Sequence, residues 1–190
     1  MVGLGNPGPK YEGTRHNVGF EVVAELAERW DFGPVREKHG GLFGEGRAGP
    51  GGPKVILFQP LTFMNEAGRA AGPLRGSKRI PLEKVIALHD EIDLPFGEVK
   101  VRLGGGLAGH NGLKSLDREF GGSDFWRVRV GVGRPDSTDP EVVSAWVLGR
   151  FREGPEEVRE LVTRAADETA DLVVGIAEGS SASGAEGGAG

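Results

Sequence analysis

The chain has 190 residues, no cysteine and a formal net charge of −5. That length suits one domain; the missing thiols exclude a disulfide framework, a thiolate nucleophile and a thiolate-held metal cluster, and make a reducing cytosol the natural setting. No apolar run reaches the roughly 18 residues of a membrane helix, and no basic stretch followed by an apolar one opens the chain, so a soluble, unexported protein is expected.

The first apolar stub, Val2 to Leu4, reads as a short buried strand that runs into Gly3-Leu4-Gly5-Asn6-Pro7-Gly8. This segment matches the G-x-G-x-x-G dinucleotide fingerprint, which needs a helix to begin at the glycines so that its amides meet a pyrophosphate. Pro7, Pro9 and Gly13 delay the helix to about Thr14 or later, which serves a nicotinamide or flavin poorly. What remains is Asn6, an amide at a strand's carboxyl end, where open α/β sheets place their sites. Thr14-Arg15-His16-Asn17 then opens a helix over Val18 to Trp30. Thr14 suits a cap, and His16 is either a surface residue or a base.

Val55 to Phe58 is the next buried strand, and Phe63-Met64-Asn65 opens a helix that reaches Leu74. Phe63 and Met64 are core by default, while Asn65 is a cap or a site amide. Residues 72 to 82, with Gly72, Pro73, Gly76 and Pro81, look broken. The strand Val85 to Leu88 delivers His89-Asp90-Glu91-Ile92-Asp93. So much like charge asks for a positive partner: a metal, for which the spacing is poor, a histidine that charges during catalysis, or solvent alone.

In Val99 to Leu103 and Trp126 to Val132, apolar and basic residues alternate strictly. As strands they predict an antiparallel extension with one face in the core and the other exposing Lys100, Arg102, Arg127 and Arg129. Charge follows the same division: residues 96–134 carry seven basic and four acidic groups, residues 136–190 four and twelve. A localised basic surface is compatible with the negative total. Between the two strands, Gly104-Gly105-Gly106-Leu107-Ala108-Gly109-His110-Asn111-Gly112 leads into a helix over Leu113 to Phe120. No G-K-[ST] closes this loop, so it is not the phosphate cradle of an NTPase. It is an ordinary turn, or a loop whose amides and Asn111 hold a polar substrate.

Helices over Val142 to Leu148 and Pro155 to Val174 follow, and Gly175 to Gly190 reads as a disordered Gly/Ala/Ser-rich tail. Strands alternating with helices predict one α/β domain over residues 1–174. It would hold a twisted mixed sheet, mostly parallel with an antiparallel extension, surrounded by helices. One histidine, one aspartate and three asparagines sit in loops at element ends, with no cysteine and no G-x-S-x-G elbow to supply a nucleophile. That inventory suits water attacking an acyl group: a base, a carboxylate to orient it, and amides to hold the carbonyl and its oxyanion. The basic strand face makes a polyanion-bearing ester the attractive substrate.

Taken together, Gly3-Leu4-Gly5-Asn6-Pro7-Gly8, Tyr11, Thr14-Arg15-His16-Asn17-Val18-Gly19, Phe63-Met64-Asn65, His89-Asp90-Glu91-Ile92-Asp93-Leu94-Pro95, Gly104 to Leu113 and Arg129-Val130-Gly131-Val132-Gly133-Arg134-Pro135 resemble the bacterial-type peptidyl-tRNA hydrolases. The resemblance implies a monomeric, cytoplasmic hydrolase that needs no metal or cofactor. It would cleave the ester between a peptide and the terminal ribose of tRNA, recycling tRNA during translation. Carried over residue by residue, it implies His16 as base and Asp90 as its partner, with Asn6 and Asn65 gripping the ester and peptide. Asn111 would help place water, Tyr11, Phe63 and Met64 would wall the cleft, and His110 would assist. Lys100, Arg102 and Arg129 would meet phosphates of the acceptor stem, positioning the substrate without reading its sequence. Three departures from the family accompany these expectations: a first strand that is short ahead of Gly3, arginine as the second basic residue of the 100–102 strand, which keeps the charge, and the broken segment 72–82. Two rival classes are a dinucleotide oxidoreductase, resting on the glycine fingerprint, and an RNA-binding module that uses the basic strands without turnover.

Overall fold

The computed structural model describes residues 1–179. Among them, seven strands form one mixed sheet: β1 Val2–Gly3, β2 Arg36–Lys38, β3 Gly41–Arg47, β4 Lys54–Pro60, β5 Ile86–Glu91, β6 Val99–Leu103 and β7 Trp126–Gly131. Their spatial order is β2-β3-β4-β1-β5-β7-β6. The central four, β4, β1, β5 and β7, run parallel. Apolar residues point to both faces of these strands, as a sheet covered on both sides requires. Each flank is antiparallel: β6 against β7, as the alternating patterns predict, and the β2–β3 hairpin against β4. That hairpin has no counterpart among the sequence expectations, because Gly41, Gly44 and Gly46 blank out the alternation of β3. Their empty positions take aromatic rings, Phe58 at Gly41 and Phe32 at Gly44 and Gly46.

Five α-helices cover the sheet: α1 Val18–Arg29, α2 Ala67–Ser77, α3 Asn111–Phe120, α4 Pro140–Val147 and α5 Pro155–Ala177. On one face α1 and α5 bury Val18, Val22, Leu26, Leu161 and Ala165 against Leu57, Leu88, Val128 and Val130. On the other, α2 and α3 bury Ala70, Leu74, Leu113, Leu116 and Phe120 with Val2, Leu4, Phe58 and Ala87. The expected break over residues 72–82 begins only after Ser77. Pro73 lies inside α2 on its exposed side, as does Arg69, where water can take the carbonyl that proline leaves without an N–H. Helix α5 continues to Ala177 rather than stopping at Val174, with Ile176 packed against the core, so residues 175–177 are helical and not tail. Residues 180–190 of the expected disordered tail lie outside the described residues. No helix among the described residues is long and apolar enough to cross a membrane.

One close approach sets the whole arrangement. Gly19, in the first turn of α1, sits so near the sheet that a Cβ would press into the Leu88 carbonyl oxygen and stand 2.7 Å from the backbone N and O of Leu4. Gly3 and Gly5 face Gly19, Val23 and the Phe20 ring in the same way. These glycines therefore serve helix-on-strand packing rather than a pyrophosphate. Gly19→Ala is expected to lower stability by about 3 kcal/mol or more in urea unfolding, because the backbone of β5 and of Leu4 just after β1 cannot yield as a side chain can. A wild-type midpoint would mean that α1 can ride outward at little cost.

Candidate active site

The carboxyl ends of β1 and β5 meet the start of α1 and the start of α3. The chain after β1 does not enter a helix at its glycines; Gly8 adopts φ 102°, a 3-10 turn follows at Pro9–Tyr11, a second spans Arg15–Asn17, and only then does α1 begin. The geometry of a dinucleotide fold is absent from this turn. Instead the segment is laced to itself. Asn6 N–H donates to Asn17 Oδ1 at 2.8 Å, Asn17 Nδ2 donates back to the Asn6 carbonyl at 2.9 Å, and Asn6 Oδ1 accepts from Met64 N–H at 2.7 Å. The Asn6 side-chain oxygen is thereby committed, which leaves its Nδ2 hydrogens for something outside the fold.

His16, in the second 3-10 turn, places Nδ1 2.9 Å from both carboxylate oxygens of Asp90 at the end of β5. His110 brings Nε2 to 2.9 Å from Asp90 Oδ1 as well. One buried carboxylate, 2% exposed in its side chain, thus receives two imidazoles whose ring centres are 5.1 Å apart. The tautomer of His110 follows from its other nitrogen: Nδ1 caps α3 by accepting from Gly112 N–H and Leu113 N–H, so its proton is on Nε2. Asp90 can only accept, so His16 donates from Nδ1 and its Nε2 lone pair is left outward.

These contacts explain the titration of the group. Burial alone would push the Asp90 carboxyl up, but the charge of both histidines and their hydrogen bonds hold it well below the ordinary carboxylate range. For His16, burial pulls the ring down, and the Asp90 charge and hydrogen bond more than offset it, so the net shift is upward. His89, packed edge-on against His110 with ring centres 5.0 Å apart, donates to the Asp90 carbonyl. Burial first, and then the nearby His110, lower it to about 3, so it is neutral at neutral pH.

Three ligand atoms, from His16, Asp90 and His110, lie within 4.8 Å of one another, which raises the question of a cation. The hydrogen bonds answer it. A metal-ligating histidine donates its second N–H outward, whereas His110 Nδ1 faces two backbone donors, so its Nε2 could bind a cation only as an imidazolate. The set is built to hold protons.

Asn65 and Asn111, at the starts of the 3-10 turn Met64–Glu66 and of α3, are both exposed. Phe63 is 56% exposed and stands edge-on to Tyr11 at 6.4 Å, forming an aromatic rim. Met64 departs from the expectation that it lines the cleft with Phe63: it is 4% exposed, with Sδ so close to Gly112 that a Cβ there would be 2.5 Å away. It forms the floor under the rim, because the Asn6 bond pulls its backbone inward.

The basic strands flank this centre in register. His89 pairs with Arg129 on β7, and Arg129 with Lys100 on β6, so a row of residues leads from beside Asp90 to the sheet edge, about 10 Å away at the strand spacing. Lys100 and Arg102 are exposed, and Arg129 is half-buried with Nε on Glu91 at 3.0 Å. Arg127 contradicts the expected exposed basic face: it is 3% exposed, roofed by the glycine loop. Two residues escaped the sequence reading as structural parts. Asn17 is the latch described above. Arg15 is buried, stacks 3.8 Å from the Trp146 ring and donates to the carbonyls of Trp146 and Arg150, tying α4 to the turn that carries His16. A polar residue completing a T-R-H-N run is the one sequence signal either offers.

The comparisons with known proteins agree with this geometry. A family model described as peptidyl-tRNA hydrolase matches residues 1–184. Curated relatives include a peptidyl-tRNA hydrolase of Rhodospirillum centenum, 47% identical over 92% of this chain and 74% of the relative, and one of Geobacillus kaustophilus, 48% identical over 88% of both. Among solved structures, the peptidyl-tRNA hydrolase of Acinetobacter baumannii superposes with a TM-score of 0.81 at 35% identity, covering 94% of this chain and 90% of that one. With its motifs, sheet and His16–Asp90 centre in place, the chain belongs to the peptidyl-tRNA hydrolase family.

Proposed function

We propose that this chain hydrolyses peptidyl-tRNA with His16 as general base, and the observation that carries the assignment is the 2.9 Å bond from His16 Nδ1 to buried Asp90. The enzyme is an ester-bond hydrolase acting on peptidyl-tRNA, as its family is. His16 Nε2 takes a proton from water as that water attacks the ester carbonyl, and Asp90 fixes the tautomer and stabilises the resulting imidazolium. The tetrahedral oxyanion collapses, the ester C–O bond breaks, and the ribose hydroxyl leaves with the proton returned from His16. A free tRNA and a peptide carboxylic acid result, and the acid ionises to the carboxylate by giving its proton to solvent. Asn6 Nδ2 and Asn65 hold the ester and peptide, Asn111 orients the water, His110 steadies Asp90, and Tyr11 and Phe63 give the peptide an aromatic wall. The floor beneath them is Met64.

Lys100, Arg102 and Arg129 take acceptor-stem phosphates, supported by their row beside the centre and by the surplus of basic groups in this part of the chain. Arg129→Ala is expected to raise KM for the tRNA substrate about tenfold and to flatten the logarithmic salt dependence by about one, because each phosphate contact releases counterions. An unchanged salt slope would move the phosphate contact elsewhere. The protein works as a cytoplasmic monomer that returns tRNA to translation, consistent with a single chain that brings all these residues together.

Purified protein, incubated in chelator with N-acetyl-aminoacyl-tRNA and with unblocked aminoacyl-tRNA, tests the assignment. Release from the blocked substrate alone is the expected result. Binding of tRNA without cleavage of either would point to the RNA-binding module instead.

A further inference from the structure

We propose that Arg127 is a positioning residue of this hydrolysis, gripping the loop ahead of His110 and Asn111 so that both meet the Asp90 centre, without touching tRNA itself. The inference rests on the reading of His110 and Asn111 as parts of the site. Arg127 is an expensive residue where it stands. It is buried on β7, no carboxylate pairs with it among the described residues, and Arg102 lies directly opposite in register with Arg129 two positions on. Burial, and then the charges of those two arginines, pull its pKa downward against the smaller upward pull of Asp117 and Glu91, neither of which is bonded to it. A buried cation facing like charges destabilises a sheet, so packing alone would favour an apolar residue.

The guanidinium is spent on the glycine loop. Nη1 donates to the Gly106 carbonyl at 2.6 Å and Nη2 to the Gly105 carbonyl at 2.7 Å, a two-pronged hold on successive peptides. This loop needs holding. Gly104, Gly105 and Gly109 adopt positive φ, and Ala108 sits at φ 46°, which an L side chain rarely tolerates. Its backbone bonds are at its ends, Gly104 N–H to Phe125 and His110 N–H to Leu107. The next residues are His110, fixed on Asp90, and Asn111, the first residue of α3. On the far side of Gly105, the Arg102 guanidinium fills the space of a side chain, with Nε 2.6 Å from where a Cβ would be. Gly105 is therefore clasped between an inner arginine and an outer one proposed to meet phosphate, a direct link from the anion face to the reacting centre.

The test compares Arg127→Lys, Arg127→Ala and Asn111→Ala with wild type on N-acetyl-aminoacyl-tRNA. Lysine keeps the charge but has no planar fork to bridge two carbonyls. Arg127→Lys is expected to lose about 10²-fold in kcat, the effect of a displacement near 1 Å at a reacting centre, with KM within about twofold and the salt slope unchanged. Millimolar guanidinium ion is expected to restore part of the kcat of Arg127→Ala; should that variant not fold, the lysine variant decides. A raised KM and a shallower salt slope at wild-type kcat would make Arg127 a phosphate contact and overturn the proposal. So would wild-type kcat in Arg127→Lys beside a slow Asn111→Ala. If Asn111→Ala itself turns over normally, the reading of the loop as part of the site fails, and the proposal falls with it.

Discussion

Asp90→Asn is expected to lower single-turnover hydrolysis of N-acetyl-aminoacyl-tRNA about 10⁴-fold, the loss typical when the aspartate of a histidine-based centre becomes an amide. The reason lies in the count of donors. Asp90 accepts from His16 Nδ1 and His110 Nε2, and His110 cannot exchange its tautomer because Gly112 and Leu113 donate to its other nitrogen. An asparagine oxygen satisfies His110, and its amide hydrogens then face His16 Nδ1, which must become the acceptor. The His16 proton moves to Nε2, where the lone pair for water is needed. Substrate affinity should stay near wild type, and activity within tenfold of wild type would remove Asp90 from the centre. Acid stability should change as well. A carboxyl whose folded pKa lies below the unfolded value of about 3.9 contributes stability above that value and loses it as pH falls. The variant should therefore lose part of the wild-type stability at neutral pH and less of it on acidification.

His16→Ala is expected to lower kcat by about 10² to 10⁴, the usual share of a positioned base. In wild type, if His16 is the base as proposed, kcat/KM should rise with pH through a midpoint above about 6.5, because the neutral ring takes the proton and the Asp90 carboxylate raises its pKa. The same shift acts on stability in the opposite sense: the protonated ring favours the folded state below about 6.5, and that contribution fades as pH climbs through the folded value. Activity should gain over a range in which the fold loses a little. A flat profile from pH 5 to 8, or an alanine variant that keeps the rising limb, would take the base role from His16.

Most of this site could be read in the sequence, because its residues fall in short runs at element ends. Asn6 lies just past the end of β1, Asp90 lies near the end of β5, and His16 lies in the turn ahead of α1; α/β sheets collect such positions at one edge. The strict alternation of β6 and β7 likewise gave their pairing. What escaped the reading depends on the order of strands and on what covers them. That His110 shares Asp90 with His16 follows from β5 lying between the segments that carry them, which no local pattern records. Arg127 and Arg129 are indistinguishable by periodicity, yet the glycine loop roofs the first and leaves the second half-open. In β3, Gly41, Gly44 and Gly46 erased the alternation by which strands are recognised, because aromatic rings from β4 and from the α1–β2 connection occupy their places.

The position of β1 has a consequence for biogenesis. It is synthesised first, spans two residues, and has neighbours that are β4 and β5. The middle of the sheet stays open until residue 91 has been made, and the α1 face stays bare until α5, ending at residue 177, can lie beside it. Contacts so distant in sequence delay closure, since the entropy of a long loop is lost before the pairing rewards it. Asn6 and His16 thus leave the ribosome well ahead of Asp90 and His110, and a nascent chain cannot complete the proposed centre on a covered sheet until α5 has been made.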